Sequence, residues 1–145
     1  MKIIKQKTFV LTALLLAGSF AFAQKKAPVD YVNNFIGTGE WGNLYPGAQS
    51  PFGMISISPN NVFENYETSR SGYRYTQDEI YGFGMTHFSG VGCHSMQDLP
   101  FLPVVGDLNV SPVYNKSAYK SKFSHENEIA KPGFYSVKLD TYQTD

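Results

Sequence analysis

Apolar and polar residues alternate over several short segments of this chain, and no segment keeps a helical repeat near 3.6 residues. Residues 54–58 show the clearest alternation and run into Pro59, which predicts a half-buried strand ending there. Residues 31–36 fit either a strand or a turn of helix. Lys131-Pro132-Gly133 predicts a turn before the last strand. The other predicted strands cover 72–75, 80–85, 101–105, 108–110, 119–123 and 134–139.

Short strands separated by glycine and proline are typical of antiparallel β structure. The pattern therefore predicts an all-β fold, an antiparallel β-sandwich. The last predicted strand has no partner after it, which leaves unpaired edge groups. We therefore expect the chain to be the first part of a larger protein, with an incomplete N-terminal sandwich.

The run from 37 to 53 carries five glycines and two prolines, which makes a helix or a central strand unfavourable there. Trp41, Tyr45 and Phe52 lie within it. An aromatic face can stack on the apolar face of a pyranose, so the loop is a candidate sugar platform. The alternative for each ring is simple burial against the loop's own core.

Residues 1–23 have the features of a secretory signal peptide. Lys2, Lys5 and Lys7 precede an apolar run that is shorter than the ~20 residues of a membrane span, and Ala23 offers a cleavage site. We therefore predict export to the periplasm, the cell surface or the medium, with no stable membrane insertion after cleavage. The mature part, 24–145, is predicted to be one partial domain.

Charge and cysteine content narrow the possible partners. Loss of the three leader lysines leaves nine basic residues against twelve acidic ones, a net charge of −3. This balance offers no basic patch for nucleic acid. Cys93 is the only cysteine, so no internal disulfide forms and order must come from burial.

Two familiar motifs are incomplete here. The glycine spacing in 37–42 matches a dinucleotide fingerprint, but Pro46 and Pro51 leave no room for the helix that would hold pyrophosphate. Ser89 lacks the preceding glycine of a nucleophile elbow, since His87 stands there.

The cysteine and histidines form no recognisable metal motif. Cys93 and His94 lack the second pair of ligands that a structural zinc site needs. The histidines at 87 and 94 are expected to pack against the loop, with sugar hydroxyls as alternative partners. Glu40 and Asp98 are the carboxylates to watch, because each lies in a glycine- or aromatic-rich loop, although exposure or backbone capping is the ordinary role of such a residue.

Taken together, many segments resemble the N-terminal region of glycoside hydrolase family 92, the calcium-dependent exo-α-mannosidases. The resemblance covers nearly all of the mature chain, in order. The matching segments are Asp30-Tyr31-Val32-Asn33, Phe35-Ile36-Gly37-Thr38-Gly39, Tyr45-Pro46-Gly47-Ala48, Pro51-Phe52-Gly53-Met54, Ser58-Pro59, Gly72-Tyr73-Arg74-Tyr75, Ile80-Tyr81-Gly82-Phe83, Thr86-His87-Phe88-Ser89-Gly90, Gly92-Cys93, Asp98, Phe123-Ser124-His125-Glu126-Asn127-Glu128 and Pro132-Gly133-Phe134-Tyr135-Ser136-Val137.

The resemblance implies an N-terminal β-sandwich followed by a C-terminal (α/α)6 barrel, with inverting release of mannose from a glycan end. It places the catalytic acid, the base and the calcium ligands mainly in the barrel, so no catalytic or metal residue is assigned to this chain. It implies sugar-contacting loops at 39–45 and 90–98. This chain departs from the family pattern at Trp41 and Leu44, where relatives tend to carry histidine and threonine. The substrate-contacting residues expected in these loops are Gly39, Glu40, Trp41, Tyr45, Gly92, Cys93, His94 and Asp98.

The sequence therefore favours the N-terminal part of an exported α-mannosidase-like enzyme that binds mannose-containing glycans and is inactive as this fragment. Two alternatives stay open. One is a carbohydrate-binding module or surface glycan-binding protein without an enzyme, and the other is a purely structural β-domain.

Overall fold

The computed structural model describes residues 25–49, 53–62, 70–90, 99–108, 111, 114–115 and 118–145. The predicted signal peptide, Phe52 and most of the second predicted sugar loop lie outside these ranges. The chain forms two compact units, Met1–Tyr31 and Val32–Asp145.

The described part of the first unit is a single turn of 3-10 helix, Pro28–Tyr31. Asp30 closes this turn twice, since its backbone N–H donates to Ala27 O and its carboxylate accepts from the Ala27 N–H, both at 2.9 Å. The sequence left strand and helical turn open for 31–36, and the structure has turns over 34–37.

The described residues of the second unit form seven short strands in three small sheets. The first sheet has the order β1-β2-β4, the second pairs β3 with β5, and the third is the β6–β7 hairpin. All these pairs are antiparallel, and the described residues contain no α-helix, which confirms the predicted all-β antiparallel class. The strands are β1 (Ala48–Gln49), β2 (Ser56–Asn60), β3 (Glu79–Ile80), β4 (Gly82–Gly84), β5 (Ser121–Lys122), β6 (Glu128–Lys131) and β7 (Phe134–Val137).

Strand β2 differs from its prediction in its end and in its buried face. Pro59 does not end the strand, because it pairs with Phe83, whose N–H and C=O both bond to Phe101. Proline has no backbone N–H to donate, so it is tolerated opposite a residue whose hydrogen bonds are made with another strand neighbour. The buried face carries Ser58, which is 1 % exposed, whereas Ile57 is 40 % exposed.

The hydrophobic core gathers residues that are distant in sequence. Ile80 of β3, Phe123 just after β5, Val137 of β7 and Leu139 form its buried centre. Phe83, Leu102 and Tyr135 pack around it. The core therefore joins the end of the chain to its middle, and the sheets carrying it cannot form from local contacts alone.

The turn at Lys131-Pro132-Gly133 is confirmed. Lys131 pairs with Phe134, and Gly133 has a φ of 72°, which fits the second central position of a type II turn. The strand predicted over 72–75 is wrong, because this segment is irregular and bonds to loops instead. Within the described ranges, no helix has the length and apolarity needed to cross a bilayer.

Candidate functional site

Residues 37–45, which we call the Trp41 loop, fold back on themselves through backbone hydrogen bonds. The Gly42 N–H donates to Gly39 O and the Leu44 N–H to Gly37 O, both at 3.0 Å. Asn43 adopts a left-handed conformation (φ 51°), and its side-chain amide donates to Trp41 O at 2.9 Å. Asparagine tolerates this conformation because its short amide bonds to nearby backbone. The loop is therefore held by its own backbone and by one side chain.

Trp41 and Glu40 are the side chains that this loop presents to solvent. Trp41 is 78 % exposed, so it does not pack the loop against a hydrophobic core. Glu40 is exposed beside it, with its backbone in the left-handed region (φ 46°). Such a conformation costs roughly 1–3 kcal/mol in a non-glycine residue, and strained residues of this kind cluster at functional sites. A free indole face next to a carboxylate can stack on a sugar ring and accept from its hydroxyls.

Residues 70–75, which we call the support segment, form hydrogen bonds to both ends of the Trp41 loop. The Arg70 N–H donates to Asn43 Oδ1 at 3.0 Å, and Ser71 Oγ donates to Leu44 O at 2.8 Å. The Tyr75 N–H donates to O of the buried Thr38 at 3.0 Å. Both ends of the loop are thereby fixed to one segment, while Trp41 stays free to meet a ligand.

The structure also brings the start of the second predicted loop to the first. The Gly90 N–H donates to Asn43 O at 2.9 Å, so the first residue of the predicted 90–98 loop contacts the Trp41 loop. The predicted contacts farther along this loop lie outside the described residues. They are Gly92, Cys93, His94 and Asp98.

Tyr45 turns inward from the Trp41 loop. Its ring lies 5.0 Å from the His87 ring at a 40° tilt, and its hydroxyl donates to Gln49 Oε1 at 2.8 Å. Of the predicted sugar contacts that the structure describes, Gly39, Glu40 and Trp41 share one turn. Tyr45 instead packs at the base of the loop.

His87 is buried and bonds through both ring nitrogens, which confirms the expected packing role. Nδ1 lies 2.8 Å from Ser56 O, and Nε2 lies 2.8 Å from the amide of Asn60. Burial lowers the pKa of His87, and the hydrogen bond to Ser56 offsets only part of the shift. The neutral ring donates from Nδ1 to Ser56. Nε2 of this neutral ring is therefore an acceptor. The Asn60 NH₂ has no partner among the described residues, and it donates to Nε2 when the oxygen and nitrogen of the side-chain amide are exchanged.

We expect stability to fall on mild acidification because of His87. Its folded-state pKa lies below the unfolded value of 6.5, so the unfolded chain binds the proton more readily. The contribution of neutral His87 is complete above pH 6.5 and is lost as the pH falls from there through the lower folded-state pKa. Denaturant unfolding on either side of about pH 6.5 measures the slope, which His87→Gln should reduce. An unchanged slope in the variant would contradict the assignment of a neutral, buried ring.

Gly42 and Gly39 allow a matched test of how tightly the Trp41 loop is packed. A Cβ at Gly42 would lie 2.1 Å from Gly37 O, whereas a Cβ at Gly39 would have no heavy atom within 4 Å. Gly42→Ala is therefore expected to lower the free energy of unfolding by about 1–3 kcal/mol. Gly39→Ala should stay within about 0.5 kcal/mol of the wild type. Equal losses in denaturant unfolding would mean that the loop does not hold this closed form.

Glu128, at the start of β6, is a buried carboxylate that the sequence did not single out. Tyr73 Oη donates to it at 2.8 and 3.0 Å, Tyr135 Oη at 2.5 Å and His125 Nδ1 at 2.5 Å, while its side chain is fully buried. The His125 ring stacks on Tyr75 at 4.0 Å. One donor from 55 residues away, Tyr73, and two sequence neighbours, His125 and Tyr135, thus converge on one acid.

The phenols of this cluster remain hydrogen-bond donors. Burial, followed by the Glu128 charge, raises the pKa of both Tyr73 and Tyr135 far above the ordinary value. No local signal marks Glu128, because an acid beside alternating apolar residues is normally exposed. Asn43 did carry a signal, since asparagine tolerates the left-handed region better than most residues.

Neither Glu40 nor Glu128 is assigned to a hydrolytic pair. An inverting glycosidase needs two carboxyl groups about 6.5–9.5 Å apart across the scissile bond. The oxygens of Glu128 are occupied by its three donors, and Glu40 is exposed on the loop surface. In the described ranges, no three His, Cys, Asp or Glu side chains come together to hold a metal.

Comparisons with known proteins agree with this fold. Residues 31–145 match the family described as the glycosyl hydrolase family 92 N-terminal domain. The GH92 α-mannosidase BT3965 from Bacteroides thetaiotaomicron is 41 % identical with a TM-score of 0.73, covering 84 % of this chain. Its complex with mannoimidazole is 42 % identical with a TM-score of 0.71, covering 79 % of this chain. An uncharacterized secreted glycosidase of Arthroderma benhamiae is 28 % identical over 90 % of the chain.

This chain spans only part of those relatives. It covers 17 % and 15 % of the two Bacteroides thetaiotaomicron structures and 17 % of the Arthroderma benhamiae protein. The family match nevertheless covers every described strand and the whole Trp41 loop. The chain therefore belongs to the family of glycosyl hydrolase family 92 N-terminal domains.

Proposed function

We propose that this chain is the N-terminal part of an exported α-mannosidase-like glycoside hydrolase and supplies sugar-contacting loops to its active site. The observation that carries the proposal is the similarity to an α-mannosidase solved with mannoimidazole, at 42 % identity and a TM-score of 0.71. The exposed Trp41 on a loop fixed at both ends supports a role in contacting a sugar. The ligand is a mannose-containing glycan.

In this proposal the domain binds and orients, while the reacting groups lie elsewhere. Residues 1–23 direct export, and 24–145 form part of a β-sandwich that continues into a helical barrel. Inverting hydrolysis requires one carboxylic acid to protonate the leaving oxygen and one carboxylate to activate water. In line with the family resemblance, both groups are assigned to the remainder of the protein. The Trp41 face holds the terminal sugar while they act.

Calcium is assigned to the same remainder. Calcium takes about six to eight oxygen ligands. The described residues do not fit such a site, because no three candidate ligand side chains converge among them. No calcium ligand is therefore assigned to these residues, and Glu40 and Trp41 contact the sugar without the ion.

Export is supported by the leader sequence and by similarity to a protein named as a secreted glycosidase. The proposed destination is the periplasm, the cell surface or the medium. The mild negative charge of the mature part fits a glycan ligand better than nucleic acid.

The coding sequence after codon 145 and a mannose-release assay test the proposal together. We expect a continuing frame of several hundred codons, no release by the purified chain alone and release by the longer product. A stop codon directly after Asp145 with mannoside binding would favour a carbohydrate-binding module, for which the exposed Trp41 already suffices. Mannose release by the chain alone would overturn the proposed division of labour.

A further inference from the structure

We propose that Glu128 is a positioning residue for the Trp41 loop and acts on it through Tyr73 and the support segment. The inference rests on the proposed function, because it assigns a distant residue to the same sugar site. It starts from an unusual arrangement, a carboxylate with a fully buried side chain that has three donors.

The most direct link from Glu128 to the loop runs through Tyr73. Tyr73 lies in the middle of the support segment and reaches Glu128 from 55 residues away in sequence. On one side of it, Ser71 Oγ bonds to Leu44 O at 2.8 Å; on the other, the Tyr75 N–H bonds to Thr38 O at 3.0 Å. Fixing Tyr73 therefore fixes the two contacts that hold the ends of the Trp41 loop.

His125 provides a second connection between Glu128 and the support segment. Its ring bonds to Glu128 through Nδ1 and stacks on Tyr75 at 4.0 Å, with the rings 14° from parallel. Tyr75 also meets the edge of Phe35, just before the loop, at 5.4 Å between ring centroids. The acid thus orients the support segment at Tyr73 directly and at Tyr75 through His125.

Tyr135 offers a matched control for Tyr73. Both phenols donate to Glu128, but Tyr135 belongs to β7 and packs edge-on against Phe83 near the hydrophobic core. Losing the Tyr135 hydroxyl removes a hydrogen bond of the same chemical kind without touching the support segment. A purely structural cluster predicts the same consequence for both variants, whereas positioning predicts different ones.

The experiment compares Tyr73→Phe with Tyr135→Phe in three measurements: fluorescence anisotropy, the denaturation midpoint and KM. Trp41 is the only tryptophan of this chain, so its fluorescence anisotropy reports loop order directly. We expect Tyr73→Phe to lower the anisotropy and Tyr135→Phe to leave it unchanged, with similar losses in the denaturation midpoint. In the longer glycosidase, Tyr73→Phe should raise the KM for a terminal α-mannoside by about tenfold, as expected for one lost charge-assisted hydrogen bond, with a smaller change in kcat.

Equal anisotropies and equal KM values in the two variants would overturn the positioning role. So would a Tyr73→Phe chain that fails to fold while Tyr135→Phe folds, because Tyr73 would then support the whole domain. Absence of mannoside hydrolysis in the longer wild-type protein would instead count against the proposed function. The anisotropy comparison needs no sugar and decides the positioning role in that case as well.

Discussion

Replacing Glu128 by alanine is expected to lower the free energy of unfolding by about 3–5 kcal/mol. The change removes the acceptor shared by Tyr73, Tyr135 and His125 and leaves two buried phenol groups without it. Each orphaned donor loses a hydrogen bond to a charged group and gains no water in return. Guanidinium unfolding followed by far-UV circular dichroism measures the loss.

Glu126 provides the control for this change. It lies two residues away, in the 3-10 helix His125–Asn127, and is exposed. Glu126→Ala should change the free energy of unfolding by no more than about 0.5 kcal/mol. If the two alanine variants were equally stable, Glu128 would not be the centre of a buried network.

Replacing Trp41 by alanine is expected to weaken mannoside binding by about thirtyfold while leaving stability within about 0.5 kcal/mol of the wild type. The indole is 78 % exposed, so its removal opens no cavity in a core. Its large rigid face supplies contact area to a sugar at small entropic cost, and losing such an anchor costs about 2 kcal/mol of binding. Isothermal titration of the longer glycosidase with a terminal α-mannoside measures the change.

Tyr114 separates this role from a general effect of losing exposed aromatic surface. It is 90 % exposed and lies outside the Trp41 loop. Tyr114→Ala should leave the affinity unchanged, and Trp41→Phe should retain part of it because a smaller ring still stacks. Unchanged affinity in Trp41→Ala would remove this side chain from the sugar site.

Local chemistry predicted the turns and loops of this domain well. The Pro132-Gly133 turn formed where the sequence placed it, because proline fixes one φ and glycine supplies the positive one. The Trp41 loop is irregular as expected, since its glycines disfavour regular structure. Alternation also located β7 and most of β2, although it misjudged which side chains of β2 are buried.

The same reasoning failed where a partner from elsewhere in the chain changed the outcome. Alternation over 72–75 predicted a strand, but the support segment bonds to the Trp41 loop instead of forming a ladder. Pro59 continues β2 because Phe83 directs its hydrogen bonds to Phe101. In each case a contact distant in sequence decided the conformation, and a local pattern carries no information about it.

The sequence by itself determined the all-β class, the family and the presence of an irregular, aromatic-bearing loop. These follow from alternation, from turn residues and from motif order, all of which are written along the chain. Only the tertiary structure decided that Trp41 is exposed while Tyr45 turns inward, that the two predicted loops meet at Asn43 and Gly90, and that Glu128 is buried. Burial and hydrogen-bond partners depend on which distant segments come together, and folding settles these contacts jointly for the whole domain.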